Sequence, residues 1–490
     1  MRDHLLILLL FMCINANSSS WKMGFLRNAL SRVKTSLDKD RLVAIRKDFY
    51  SLRSKIAAKL ALSPIQKAAL AENLKKLIHI QKARLNDVGN TIVEVNEKAQ
   101  IGELLYQGDI VLTDQQAKEI LDAAKGKRER RQAYRNGKYP YTTWLFGVFY
   151  SFHANASARI KRVFKKGAME WQKESCIDFI ESPKAPGRIE LISEDGCWSY
   201  VGNRHKVQPL SLGKGCENVG AAAHEIGHSL GMFHTHSRHD RDDFITLNTQ
   251  NIKSKYLDQF EKATPELNDN YGITYDYGSI MHYGASGFAN EGTYSMVPLD
   301  SDYTQTLGSP FISFYEKLMM NIHYNCLEKC GKNAKAAKCS MGGFPNPRDC
   351  RICVCPSGYG GKLCNKRPSG CGKTLKAKPS PEKLVDVLGD DSKEKRERED
   401  FMFCHYWIQA PREKKVEVKM MGFTGGIASD GCYYGGVEIK AHKDQRLTGY
   451  RFCAPENAGK TLVSHSNLMP VITYNRVNKT TTILQYRSSV

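Results

Sequence analysis

The stretch Gly220-Ala-Ala-Ala-His224-Glu225-Ile-Gly-His228-Ser-Leu-Gly231-Met-Phe-His234-Thr235-His-Ser-Arg238-His-Asp240-Arg241-Asp242 decides how the rest of the chain is read. His224 and His228 are spaced i, i+4, so on a helix both imidazoles project from one face, one turn apart. Glu225, beside the first of them, can reach a water held there. Gly231 can take positive φ, end the helix and turn the chain, which brings His234 back toward the same point. Three neutral nitrogens and an open position are what a catalytic zinc needs. A helix that merely carries histidines would need neither the spaced glycine nor the third histidine.

The stretch resembles the metzincin zinc peptidases, and Arg238-x-Asp240-Arg241-Asp242 narrows the resemblance to the astacin family. Downstream, Tyr277-Gly-Ser279-Ile-Met281-His282-Tyr283-Gly284 resembles the Met-turn of that family. The resemblance implies a zinc metalloendopeptidase holding one Zn2+ per subunit through His224, His228 and His234. Such a zinc polarises the scissile carbonyl and acidifies water. Glu225 then acts as general base and afterwards as acid. Met281 forms an apolar floor, and Tyr283 donates a hydrogen bond to the developing oxyanion. One position departs from the family, which usually has Glu directly after the third zinc histidine to hold the N-terminus of the mature chain. Thr235 cannot supply that charge, so activation is expected to depend little on the exact new terminus.

Composition sets the outer bounds. A chain of 490 residues has room for about three domains, and its 41% hydrophobic content is compatible with globular cores. Fifteen cysteines point to an oxidising compartment. The net charge of +21 is unevenly placed: residues 21–131 carry 23 Lys+Arg against 13 Asp+Glu. The remainder is scattered over solvated faces without a nucleic-acid-binding motif, so no nucleic-acid partner is expected.

The N-terminal segment 1–19 has the pattern of a secretory signal, with Arg2 and His4 ahead of the apolar run 5–14. That run is too short to span a bilayer and no later one is longer, so a secreted, extracellular product without a membrane span is expected. Loss of Cys13 with the signal leaves fourteen cysteines.

Residues 20–131 read as a removable, largely helical pro-segment, with apolar positions Leu70, Leu74, Leu77 and Ile78 and with Pro64 as a breaker. Tyr106-Gln-Gly108-Asp109-Ile110 resembles the Phe-x-Gly-Asp motif of astacin pro-segments, in which the aspartate takes the zinc position that water needs. Lys127-Arg128-Glu129-Arg130-Arg131 is a site for a furin-like or trypsin-like protease, and cleavage after Arg131 would start the mature chain at Gln132.

Residues 132–326 are expected to form the peptidase domain. A strand is predicted over 144–152, a helix over 159–173 burying Ile160, Val163, Phe164 and Trp171, and strands over 188–193 and 197–202. The resemblance places the last strand at the upper rim of the cleft, where an extended substrate adds to it. It also implies the bridges Cys176–Cys326 and Cys197–Cys216.

Residues 327–367 shift to a Cys-, Gly- and Pro-rich composition. Cys330, Cys339, Cys350, Cys353, Cys355 and Cys364 end in a Cys-x-Cys-x8-Cys pattern that resembles an EGF-like module, with their pairing left open. Six zinc-binding cysteines are the alternative. Residues 371–490 read as short strands between turns and resemble a CUB domain, with Cys371–Cys404 and Cys432–Cys453 as the implied bridges. The charged 393–400 stretch reads as a surface loop. Asn155 and Asn478 stand in glycosylation sequons.

The fold expected is therefore multidomain. A helical pro-segment precedes an α+β metzincin domain with a twisted sheet and a long zinc-binding helix, followed by a disulfide-rich EGF-like module and an all-β CUB sandwich. The arrangement resembles nematode astacins, which implies protein substrates of cuticle, extracellular matrix or host tissue, and terminal modules that bind extracellular proteins. The alternative is a catalytically silent binding protein that works through those modules. Intact zinc histidines, Glu225 and Tyr283 favour the enzyme.

Overall fold

The computed structural model describes residues 31–126, 139–265, 269–390 and 397–490. The expected signal sequence, Cys13, the cleavage position Arg131 and Gln132 lie outside the described residues, as does the first half of the 393–400 loop.

The N-terminal part is a wrap of short helices: α1 (Lys39–Ser51), α2 (Arg53–Leu60), α3 (Pro64–Lys76), α4 (Ile92–Lys98) and α5 (Asp114–Ala124). Three of them begin with a capping box, Ser63 with Gln66, Thr91 with Glu94 and Thr113 with Gln116, so their starts are written locally. Pro64 opens α3 instead of breaking it, because the first helical position needs no amide donor. Leu77 and Ile78 fall beyond the end of α3, in extended chain. Between α4 and α5 lies a two-residue strand, β1 (Ile110–Val111).

The peptidase domain carries β2 (Val148–Phe152), α6 (Ala158–Gln172), β3 (Phe179–Glu181), β4 (Arg188–Ile192), β5 (Cys197–Tyr200), β6 (Val207–Leu212), α7 (Val219–Ser229) and α8 (Phe314–His323). The sheet order is β1-β5-β6-β4-β2-β3. The neighbours among β2, β3, β4 and β6 pair in parallel and β5 runs antiparallel to β6. The first strand begins at Val148 and not at Trp144. Gly147, at φ +92°, turns the chain just before it, and the buried Trp144 indole donates to the Ser229 carbonyl (2.8 Å). Helix α6 buries Ile160, Val163, Phe164 and Trp171. Its Gly167 lies where a Cβ would come within 3.0 Å of the Ala223 amide, so α6 and α7 cross backbone to backbone.

Seven disulfides are closed. Cys176–Cys326 and Cys197–Cys216 tie the peptidase domain, while Cys330–Cys350, Cys339–Cys353 and Cys355–Cys364 staple the 327–367 segment around one hairpin. Such pairing leaves none of these cysteines as metal ligands. Residues 371–490 form a sandwich of a five-stranded and a four-stranded sheet, carrying Cys371–Cys404 and Cys432–Cys453. Its core includes Ile408, Val416, Val437, Val471 and Leu484. Asn155 is exposed and its side chain pairs with Ser193, whereas Asn478 is half-buried at φ +51°.

Candidate metal centre

Helix α7 is capped by Asn218, whose side chain accepts from the Ala221 amide, and it runs for 11 residues to Ser229. It is shorter than the long helix expected, because Gly231 at φ +109° turns the chain away directly after Leu230. His224, His228 and His234 thus converge, and all three are buried.

Each imidazole is oriented from behind. Nδ1 of His224 donates to the Ile280 carbonyl (2.7 Å) and Nδ1 of His228 to the Met232 carbonyl (2.7 Å). Nδ1 of His234 donates to Oε1 of Gln107 (2.9 Å). With the protons held on Nδ1, every Nε2 presents a lone pair to the centre. Nε2 of His224 and Nε2 of His234 are only 3.3 Å apart. Two lone pairs at this distance converge as the ligands of one cation would.

The fourth corner is filled by Asp109. Its Oδ2 lies 3.2 Å from Nε2 of His224 and 3.2 Å from Nε2 of His234, and its Oδ1 lies 3.5 Å from Nε2 of His228. Ligands about 2.0–2.1 Å from one zinc stand about 3.4 Å apart at the corners of a tetrahedron. The donor set, three nitrogens and a carboxylate oxygen, therefore fits zinc in type and in spacing. These four are the residues the structure brings together as a metal site, with ligand atoms all within 4.8 Å of one another.

Around the centre lie buried polar atoms with no hydrogen-bond partner among the described residues: both carboxylate oxygens of Glu225 and the hydroxyl of Tyr283. Burial, and then the Asp109 charge, push the Glu225 carboxyl well above its ordinary range. Burial also pushes the Tyr283 hydroxyl up, reinforced by Asp109 and Glu225. Met281 is fully buried beneath α7. Gly227 makes room for it, since a Cβ there would lie 2.8 Å from the Met281 sulfur.

Asp109 reaches the metal position because Gly108 precedes it. Gly108 has φ +82°, and a Cβ there would sit 2.6 Å from the Phe288 ring and 3.2 Å from the Tyr283 hydroxyl. The flanking chain lies along the edge of β5. Ile110 and Val111 pair in parallel with Ser199 and Tyr200 of β5. Asn96, fully buried, accepts from the Cys197 amide (2.7 Å) and donates to the Cys197 carbonyl (2.7 Å), as a strand's own peptide would.

The family description Astacin (Peptidase family M12A) matches residues 136–325. Zinc metalloproteinase nas-31 of Caenorhabditis elegans is 42% identical over 479 residues, which cover 95% of this chain and 76% of that protein. This chain belongs to the astacin family. Zinc metalloproteinase nas-29 of the same worm is 32% identical over 426 residues, 81% of this chain and 78% of that one. Among solved structures, high choriolytic enzyme 1, a hatching enzyme zinc-protease from Oryzias latipes, is 26% identical with a TM-score of 0.35, over 40% of this chain and 94% of that one. As an astacin, the protein is a zinc metalloendopeptidase.

Several supporting residues of this astacin carry no motif of their own. Gln107 orients His234, and Asn96 imitates a strand. Glu316, on α8, accepts from the Ser279 hydroxyl (2.5 Å) and from the amides of Ile280 (3.1 Å), Met281 (3.1 Å) and Ser313 (2.7 Å). Because the Ile280 carbonyl accepts from His224, Glu316 steadies that ligand through one peptide group. Thr235 joins the same network, its hydroxyl 2.7 Å from that of Ser279. His236 packs against Tyr283 with ring centroids 3.9 Å apart. Of these positions Glu316 does have a local sequence signal, the Ser313–Glu316 capping box that opens α8; its bonds to Ser279, Ile280 and Met281, like the partnerships of the others, are not written locally.

Proposed function

We propose that the chain is a secreted, zymogen-activated zinc endopeptidase acting on proteins of extracellular matrix, cuticle or host tissue. It would consist of a signal sequence (1–19), pro-segment (20–131), peptidase domain (132–326), EGF-like module (327–367) and CUB module (371–490). The single observation that carries the proposal is Asp109 in the midst of three Nε2 atoms, with Glu225 and Tyr283 beside it unpaired. Seven disulfides fit an extracellular protein, and no helix among the described residues is long and apolar enough to cross a membrane.

In this proposal His224, His228 and His234 would hold the zinc in latent and active forms alike, and Asp109 would join them in the latent form. Cleavage after Arg131 by a furin-like or trypsin-like protease frees the pro-segment, and β1 and Asn96 leave the edge of β5 for an extended substrate. The bound zinc would supply polarisation of the scissile carbonyl and acidification of water. Glu225 would take a proton from the attacking water and return it to the leaving amine. Tyr283 donates its hydroxyl to the oxygen that gains charge.

The test is a set of three variants in the full-length protein. Glu225→Gln should retain stoichiometric zinc and lose peptide cleavage after activation. Tyr283→Phe should lose about a hundredfold, less than Glu225→Gln. Asp109→Ala should cleave a short fluorogenic peptide before any processing. Unchanged latency of Asp109→Ala, or substantial turnover by Glu225→Gln, would overturn the assignment.

A further inference from the structure

The pro-segment does more than cover the metal. Past α3 it runs, extended, over the seam between the peptidase domain and the C-terminal sandwich. There the Lys82 ammonium enters a pocket built from both sides, 2.5 Å from Oδ1 of Asp430 on the sandwich and 2.7 Å from the hydroxyl of Ser286 on the peptidase domain. The Tyr294 ring lies 5.3 Å away. The Asp430 carboxylate is held independently of the lysine, since its Oδ2 accepts from the Ser286 amide (3.1 Å) and hydroxyl (2.5 Å). With the lysine in place its side chain is only 9% exposed, so removing Lys82 leaves a fixed negative charge without its cation.

The backbone on either side of Lys82 is held as well. The Gln81 amide donates to Oε1 of Glu456 (3.3 Å) and the Ala83 amide to the Ala428 carbonyl (3.0 Å). Leu85 packs beside Tyr433 and Tyr434. The seam opens into a cavity of about 480 Å³ bordered by Lys82, Ser286, Tyr294 and Asp430. It is also close to the chemistry: a Cβ on Gly284, the residue after Tyr283, would strike Asp430 at 2.4 Å.

We infer that this seam is a docking site for an extended, lysine-bearing segment of a protein substrate outside the cleft, and that the pro-segment occupies it in the latent protein. The inference rests on pro-segment removal as proposed above. The Ala428 carbonyl and the Glu456 carboxylate accept from the backbone amides of an extended chain, and Asp430 selects a cationic side chain between them. Carboxylates on both Asp430 and Glu456 disfavour an acidic occupant.

The test uses the activated protein with its pro-segment removed and a labelled peptide of residues 77–91, followed by fluorescence anisotropy. The wild-type peptide should bind, the Lys82→Arg peptide should bind comparably, and the Lys82→Ala peptide should bind about tenfold more weakly or worse. Asp430→Asn in the protein should erase that preference. Saturating peptide should slow cleavage of casein while leaving a short fluorogenic peptide nearly unaffected. Equal binding of wild-type and Lys82→Ala peptides overturns the inference, and so does an absence of binding by protein that still cleaves the short peptide. The peptide variants keep the test valid even if Asp430→Asn disturbs the seam. Protein that binds with the lysine preference but cleaves nothing would support the site while refuting the enzymatic proposal.

Discussion

Substitution of Glu316 tests whether the metal centre is held from the far side of the Met-turn. Its buried carboxylate collects four donors, of which the Ile280 and Ser313 amides have no other recorded acceptor. Glu316→Leu orphans both, at about 1–3 kcal/mol each, so about 2–6 kcal/mol of local stability should disappear. Glu316→Gln keeps one acceptor oxygen and turns an amino group toward the remaining donors, for a smaller loss of about 1–3 kcal/mol. The loss should appear at the metal, because the Ile280 peptide accepts from Nδ1 of His224 (2.7 Å). Groups that orient a ligand in this way are worth about 10–100-fold in affinity. The assay is zinc competition against a chromophoric chelator, performed on protein freed of its pro-segment so that Asp109 cannot substitute. Glu316→Gln should raise the zinc dissociation constant about tenfold and recover most of its kcat/KM at saturating zinc, since Glu225 and Tyr283 are untouched. Zinc affinity within about twofold of wild type in both variants would refute the relay from Glu316 through Ile280 to His224.

Arg46→Ala should loosen the latent state. Arg46 is buried, pairs with both oxygens of Asp258 and donates to the Lys255 carbonyl (2.9 Å), so its loss strands a buried carboxylate at about 3–5 kcal/mol; size-exclusion of the cleaved protein should show faster release of the pro-segment. Asn96→Leu should act in the same direction by leaving the Cys197 amide without its partner, and residual inhibition after cleavage measures it. Chelation should lower the melting temperature of the peptidase domain, because zinc at a hundred times its dissociation constant contributes about 2.7 kcal/mol; calorimetry with and without chelator reads the difference.

The ligand residues were legible because their chemistry is local. Spacing on one helix, a glycine turn and a third histidine suffice to bring the three nitrogens together, whereas Asp109 was legible through the resemblance of Tyr106-Gln-Gly108-Asp109 to a pro-segment motif. The 144–152 strand was misjudged at its start because Trp144 looks like strand sequence but is spent on a tertiary hydrogen bond to Ser229. Leu77 and Ile78 look helical by period, yet they belong to the extended run that crosses toward the C-terminal sandwich.

Sequence alone therefore determined which residues could meet a zinc and which cysteines were available for pairing, since each can be read without the distant parts of the chain. Tertiary structure decided the rest: β1 lying on β5, Asn96 standing in for a strand, Glu316 behind His224, and Lys82 in a pocket shared by two domains. Those contacts join residues from tens to hundreds of positions apart. No local period or propensity encodes them, because their energy comes from burial and hydrogen bonding that exist only once the distant surfaces meet.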